Sequence, residues 1–268
     1  MQAGVNQLNE KVDLLLARLR LAAVADKRVE RRRRVFGVLT IVVILASVGA
    51  CNLIVDVLPL SFPFKMLALA GLVALIVLVA RWWVVARRQD LDDRKLNTVG
   101  KALSILRADI PRDVPVGLTV DLRGYKAGGT IAGRKGNVTL YRHQWLTLSV
   151  PLADGNTITL AITDRVKRKA KRKRTAEQFR TDVDLGLRLN KRYDDAAEIV
   201  RRLRRVAAPK PFGAMTVSEG RKTDGRQKRL WARLSTPLAV NSSGLVGGDG
   251  LLAAVRWTYA GLAPPRAG

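Results

Sequence analysis

Two long apolar runs near the start of the chain constrain its fold more than any other feature. The first, residues 35–55, contains no charged residue. At about 1.5 Å of rise per residue, a helix of this length spans roughly 30 Å, the hydrocarbon thickness of a bilayer. The second run, residues 66–80, continues through Arg81, Trp82 and Trp83. Arginine and tryptophan at the end of an apolar helix are typical of the membrane interface.

A short segment rich in helix-breaking residues separates the two runs. Residues 56–65 contain Pro59 and Pro63, and proline interrupts the hydrogen bonding of a helix. The pattern predicts a two-span α-helical membrane hairpin at residues 35–86, with spans at about 35–56 and 65–86.

The distribution of charge orients this hairpin. The chain has 48 Lys and Arg against 22 Asp and Glu, a net charge of +26. Basic residues cluster at 27–34 before the first span and at 87–95 after the second, whereas the connecting loop carries only Lys65. Basic flanks stay on the cytoplasmic side of a membrane. The sequence therefore predicts a multi-pass protein of the cell membrane with both termini in the cytoplasm.

The first span also has two alternative interpretations. A cleaved signal peptide has an apolar core of about 7–15 residues after a short basic lead, whereas 34 residues precede this run. Residues 48–51 resemble a lipoprotein cleavage box, in which Cys51, the only cysteine, would carry the lipid. A patch of small residues inside a helix is the favoured interpretation. Lipidation of Cys51 is left open.

Residues 1–34 are predicted to form a cytosolic helix that is amphipathic and then basic. Apolar residues recur at alternating three- and four-residue steps for about three heptads, as in the seam of a coiled coil. These residues are Val5, Leu8, Val12, Leu15, Leu19 and Ala22. Two interpretations remain open: self-association through residues 5–22, or packing of the helix on the chain's own domain.

The rest of the chain predicts a cytosolic α+β domain that is β-rich and antiparallel. A linker helix is expected at 87–111. Alternating apolar residues predict a small antiparallel β domain at 112–164, and the order of elements predicts an α+β unit at 181–263. Between them, residues 165–180 begin with eight basic residues in ten. Like charges at this density predict an exposed basic linker. Whether one domain or two results is left open.

Residues with catalytic or metal-binding chemistry are sparse. The single histidine, His143, is interpreted as a turn residue at the start of a strand rather than as a catalytic base. Asp182 and Asp184 share a face of a predicted strand, where they either hold a cation or neutralise the adjacent basic run. One histidine and one cysteine leave no zinc site. We expect a non-enzymatic protein without a cofactor.

Two clusters of basic residues are the candidate binding site for an anionic surface. The first adjoins the first span, where each Lys or Arg gains roughly 1 kcal/mol from anionic lipid. The second is the basic run after the β domain. The candidate residues are Arg31, Arg32, Arg33, Arg34, Lys167, Arg168, Lys169, Lys171, Arg172, Lys173 and Arg174.

The basic charge predicts an anionic partner. The leading hypothesis is a membrane-anchored scaffold or adaptor whose cytosolic domain binds anionic lipid of the inner leaflet or an acidic protein. One alternative is a membrane tether for nucleic acid or ribosomes, with Tyr125, Tyr141 and Trp145 stacking on bases, although no nucleic-acid-binding motif is present. Another is a subunit of an oligomeric channel, for which the first span offers only Asn52 as a strongly polar residue.

Overall fold

The computed structural model describes residues 5–52, 62–88, 91–172, 174–190, 196–219, 229–240 and 244–262. The chain divides into two compact units. Unit 1 comprises Met1–Arg20 and Leu91–Gly268, and unit 2 comprises Leu21–Asp90.

Unit 2 contains the two apolar runs as helices. Helix α1, Val12–Asn52, begins in unit 1 and continues through the first run, and helix α2 is Phe62–Arg88. Both are long and apolar enough to cross a membrane. Phe36 of α1 and Trp82 of α2 contact each other edge to face, with ring centroids 5.7 Å apart. The prediction of two long apolar helices that could span a membrane is thus confirmed.

Unit 1 is built on one antiparallel sheet. Its strands are β1 (Val5–Glu10), β2 (Val116–Asp121), β3 (Thr130–Lys135), β4 (Val138–Pro151), β5 (Thr157–Ala170), β6 (Thr175–Arg188), β7 (Ala214–Glu219) and β8 (Arg229–Ser235). These eight described strands lie in the order β1-β2-β4-β5-β6-β8-β7, and β3 pairs with the first half of β4. The prediction of a β-rich antiparallel domain is confirmed, and both of its predicted parts share this sheet.

Besides the start of α1, four helices are found among the described residues of unit 1. They are α3 (Asp93–Leu106, followed by a 3-10 turn at Arg107–Asp109), α4 (Tyr125–Gly128), α5 (Ala196–Arg205) and α6 (Gly248–Leu262). Helix α3 packs on α6, and α5 packs on α6 and β7.

The two-residue period of the strands gives the sheet a covered face and an open face. Leu118, Leu148, Leu160 and Leu185 are cross-strand neighbours on β2, β4, β5 and β6, and all four are buried. Full burial of one such side chain contributes about 1.5–3 kcal/mol. The residues that alternate with these leucines lie on the open face.

The prediction of one helix from the start of the chain is wrong for residues 5–10. These residues form β1, which pairs with β2 in register Leu8 to Leu118. Asn6 and Asn9 are weak helix formers, and the strand satisfies their backbone groups along the edge of β2. The helix begins only at Val12, where Val12, Leu15 and Leu19 of the predicted seam are buried within this single chain. Self-association through residues 5–22 stays a prediction.

The predicted basic linker at 165–180 is also wrong. Strands β5 and β6 pair without interruption. The pairing runs from Thr157 opposite Arg188 to Ala170 opposite Thr175, so the basic run forms the end of a long hairpin. The pleat distributes its charges over two faces of the sheet. Val166 between them is buried, and Glu177 and Asp182 on β6 provide counter-charges.

The predicted linker helix at 87–111 corresponds to two separate helical segments. Helix α2 extends to Arg88, and α3 starts at Asp93, where the Asp92 side chain caps it by accepting from the backbone of Lys95. Leu96, Val99, Leu103 and Leu106 of α3 are buried. Because this apolar face packs in the core of unit 1, α3 is a core helix and not a linker.

Candidate anion-binding face

The basic run is resolved by the structure into two faces and a turn. Lys167 and Lys169 of β5 are exposed on the open face of the sheet. Arg168 lies on the opposite face, where its Nε is 3.9 Å from Glu177 of β6. Lys171, Arg172 and Arg174 are exposed in the turn between the strands, and Lys173 lies outside the described residues.

The basic cluster beside the first span belongs to unit 2. Arg31, Arg32 and Arg34 of α1 are exposed. Arg34 pairs with Glu30 one turn earlier at 2.6 Å, and the side chain of Arg33 lies outside the described part of the chain. The two predicted clusters therefore fall in different units.

Further basic residues on the open face were missed by the sequence reasoning. The register places nine basic side chains on this surface, hereafter the basic face: Lys135, Arg142, Arg165, Lys167, Lys169, Arg180, Arg188, Arg229 and Arg233. Alternation within each strand is a usable signal for four of them, since Arg165, Lys167, Arg188 and Arg233 each follow a buried residue by one position. Their assembly on one surface depends on strand register, which the sequence does not reveal.

The carboxylates on this surface are already paired. Asp182 lies 2.5 Å from Nε of Arg165 and accepts a 3.1 Å hydrogen bond from Nε of Arg180. Asp184 accepts two hydrogen bonds from Arg233, at 2.5 and 3.1 Å, and this pairing raises the pKa of Arg233. The two aspartates thus lie on one face as predicted, and both neutralise arginines. Among the described residues, no group of acidic, His or Cys side chains is arranged to hold a metal.

The aromatic residues proposed for stacking on nucleic acid do not lie on the basic face. Trp145 is buried in the core. Tyr125 packs edge to face on Tyr141 and Phe179, with centroid distances of 5.4 and 6.1 Å, on the opposite side of the sheet. The open side instead exposes Trp231 of β8, whose ring lies over Gly186 of β6. A tryptophan over a strand glycine fills the space that the missing side chain leaves.

A second charged cluster is buried on the covered side of the sheet. Nζ of Lys95 donates to the carbonyl oxygens of Asp121 and Arg123 and lies 3.2 Å from Nδ1 of His143. Three acceptors match the three protons of an ammonium group. Burial lowers the pKa of Lys95 to about 8, although Asp92 and Asp164 attract the charged form.

His143 connects this lysine to a carboxylate. With Nδ1 facing an ammonium donor, the proton of the neutral ring resides on Nε2, which is 3.3 Å from Asp121 Oδ2. Burial raises the pKa of Asp121, but hydrogen bonds from Arg123 and His143 outweigh it and lower this pKa to about 2. His143 is buried within β4, so its interpretation as a turn residue is wrong. The cluster ties α3 to β2 and β4.

The stability of unit 1 is expected to decrease below about pH 6.5. Burial and the neighbouring Lys95 lower the pKa of His143, so below its ordinary value the unfolded chain binds a proton that the folded chain does not. The loss is at most about 1.4 kcal/mol per pH unit. Because the chain has one histidine, the imidazole NMR resonance of the full chain reports this pKa without ambiguity.

His143→Gln is the control for this pH dependence. The variant should show a flatter stability profile between pH 5 and 7 in native-state hydrogen exchange of β4 and β5. A titration midpoint of the imidazole at or above 6.5 would contradict the buried geometry.

Comparison of the chain with protein-family models, with curated proteins and with solved structures finds no match.

Proposed function

We propose that the chain is a non-enzymatic, membrane-anchored adaptor whose unit 1 binds anionic lipid headgroups through the basic face. The observation that carries the proposal is the charge of that face. Nine basic side chains share it, whereas its two aspartates are each engaged by arginine. In this proposal the basic face is cytoplasmic, where the inner leaflet supplies the anionic lipid.

The exposed apolar surfaces of α1 and α2 support a membrane anchor. Side chains such as Val42, Leu45, Leu67 and Val77 are exposed rather than packed in a protein core. Helices of this composition are stable where lipid surrounds them. An anchor of this kind raises the local concentration of headgroups around unit 1, so weak contacts with individual lipids add up.

A second candidate is a tether for nucleic acid, favoured by Trp231 on the basic face. This residue is 42 % exposed and, together with Arg188 and Arg229, lines a pocket of about 250 Å³. Exposed aromatic and basic side chains together suit single-stranded nucleic acid. An acidic protein partner and a channel subunit stay alternatives without an observation that favours either.

Binding of the full-length chain to vesicles tests the proposal. The chain is placed in nanodiscs of neutral phosphatidylcholine and mixed with vesicles of phosphatidylcholine alone or with about 30 % phosphatidylserine. We expect flotation with the anionic vesicles only and release in about 0.5 M salt, because the Debye length then falls to a few ångströms. Empty nanodiscs control for exchange of lipid.

Two outcomes would contradict lipid binding. Equal flotation with neutral and anionic vesicles would exclude recognition of charge. Capture of single-stranded RNA in the same nanodiscs at salt concentrations that release the vesicles would favour the nucleic-acid tether instead.

A further inference from the structure

Three arginines on the basic face stand in one row across the sheet. Arg142 of β4 is the cross-strand partner of Arg165 of β5, and Arg165 is the partner of Arg180 of β6. Like charges directly opposite each other destabilise a sheet. A row of three therefore lowers the stability of the unliganded sheet, and an anion bound across the row would relieve that repulsion.

One buried carboxylate orients two of the three guanidinium groups. Asp182 is 1 % exposed and contacts Nε of both Arg165 and Arg180, while Ser235 Oγ donates to its Oδ1 at 2.8 Å. Because both contacts use Nε, the terminal nitrogens of each guanidinium are left for another acceptor. The two side chains remain 50 % and 42 % exposed. Guanidinium forks fixed in this way suit bidentate binding of phosphate.

The charge of the row matches a phosphate monoester. Three guanidinium groups and the Asp182 carboxylate leave two positive charges at neutral pH. A phosphate monoester carries about −1.5 to −2 at pH 7 and offers three acceptor oxygens. A carboxylate or a phosphodiester would leave part of this charge and some of the donors unused.

An apolar groove lies beside the arginine row. It encloses about 240 Å³ and includes Ala132, Leu140 and Leu238 in its lining, together with the three arginines. Leu140 and Leu238 are 44 % and 51 % exposed. A free phosphate would not bury this apolar surface, whereas the glycerol and upper acyl carbons of a lipid would cover it.

We propose that the arginine row and the adjacent groove bind one phospholipid whose headgroup is a phosphate monoester. Phosphatidic acid is the simplest lipid of this class. The proposal rests on the proposed function, since it assigns a preferred headgroup and a defined position to the binding of anionic lipid. The row contributes selectivity, and the remaining basic residues contribute attraction that depends only on charge.

Two triple variants of equal charge test the site. In the first variant, Arg142, Arg165 and Arg180 are each replaced by glutamine. In the second, the exposed lysines Lys135, Lys169 and Lys171, which do not line the groove, are each replaced by glutamine. Both are assayed as full-length chains in phosphatidylcholine nanodiscs, by flotation with vesicles containing phosphatidic acid or phosphatidylserine at matched surface charge. The wild type should prefer phosphatidic acid by about tenfold, the worth of one charge-assisted hydrogen bond. The arginine variant should lose this preference, and the lysine variant should weaken binding to both vesicles alike.

A third variant addresses folding. It combines three substitutions, Arg142→Lys, Arg165→Lys and Arg180→Lys. The variant keeps the three positive charges beside Asp182 but removes the forked donors of the guanidinium groups. The preference for phosphatidic acid should therefore again be lost, while binding to phosphatidylserine is kept. Hydrogen exchange of β4–β6 verifies that each variant is folded. Glycerol 3-phosphate at millimolar concentration should compete weakly, because it lacks the carbons that would occupy the groove.

The outcomes separate this site from the general function. If the wild type binds anionic vesicles without preference, or if the arginine and lysine variants lose equal affinity, the site is wrong and the adaptor proposal stands. If the wild type binds neither anionic vesicle, both fail. Competition by glycerol 3-phosphate as strong as that by the lipid would indicate a site for free phosphate compounds.

Discussion

Replacement of Trp145 by alanine is expected to lower the free energy of unfolding of unit 1 by about 3–5 kcal/mol. The side chain is 1 % exposed and occupies the bulge of β4, where the register shifts between Gln144 and Leu146. Its ring lies 5.5 Å from Cζ of Arg94 and 5.6 Å from Nζ of Lys95. The substitution therefore leaves a large cavity and removes two cation–π contacts to residues whose charges are largely desolvated.

Trp231→Ala is the matched control for this substitution. The same atoms are deleted from the open side of the same sheet, where the ring is 42 % exposed and covers Gly186. We expect a loss of about 1 kcal/mol. Native-state hydrogen exchange of the β5 and β6 amides in the full-length chain gives both free energies. Equal losses in the two variants would contradict the assignment of the covered and open faces.

Local patterns sufficed to predict the parts of the fold that depend on neighbouring residues. Alternation identified the strand at Val116–Asp121, and Asp154-Gly155 identified the turn between β4 and β5. Gly155 has φ +83°, a conformation that glycine adopts without strain. The helices at Ala196–Arg205 and Gly248–Leu262 likewise follow from their apolar spacing. The sequence also predicts a helix cap at Asp194 and a turn at 223–225, and both lie outside the described residues.

Long-range pairing explains what the sequence did not reveal about the fold. The strand at Val5–Glu10 forms because β2, more than a hundred residues later, offers it an edge. The density of like charge along the basic run predicts an exposed linker, because that pattern reflects only repulsion between neighbours in the chain. In the sheet, its counter-charges come across the hairpin from Glu177 and Asp182. Charge density along a sequence thus overestimates repulsion when a partner strand supplies carboxylates.

The candidate site was predicted in its charge but not in its geometry. Lys167 and Lys169 are exposed, as the prediction of a basic linker requires, although they lie in a strand and not in a linker. Arg142 and Arg180 were missed. Arg142 lies in no basic run, Arg180 follows the eight clustered basic residues by six positions, and only the register of three strands brings the two beside Arg165. The cluster around Lys95 and His143 was missed for the same reason, since it joins a helix to two strands.

The predicted orientation of the hairpin can be tested by labelling single cysteines from outside the cell. The expected difference between sites is the largest of any prediction, because an external cysteine is labelled almost completely and a cytoplasmic one hardly at all. The proposed function requires unit 1 in the cytoplasm and the loop between the two spans outside. In a Cys51→Ser background, one cysteine is introduced at Ser61 in that loop, which lies outside the described residues. Others are introduced separately at Ser104 of α3 and Ser149 of β4, whose side chains are exposed. Ser235 is unsuitable, since it is buried against Asp182.

Labelling of these variants with a membrane-impermeant thiol reagent tests the central claim most directly. In intact cells, Ser61→Cys should react, and Ser104→Cys and Ser149→Cys should react only after the membrane is permeabilised. Reaction of Ser61→Cys in all conditions, with protection of the other two cysteines in intact cells, would agree with a chain that crosses the membrane twice and keeps its basic flanks in the cytoplasm. Reaction of Ser104→Cys or Ser149→Cys in intact cells would place the basic face outside, and would contradict its proposed binding to inner-leaflet lipid.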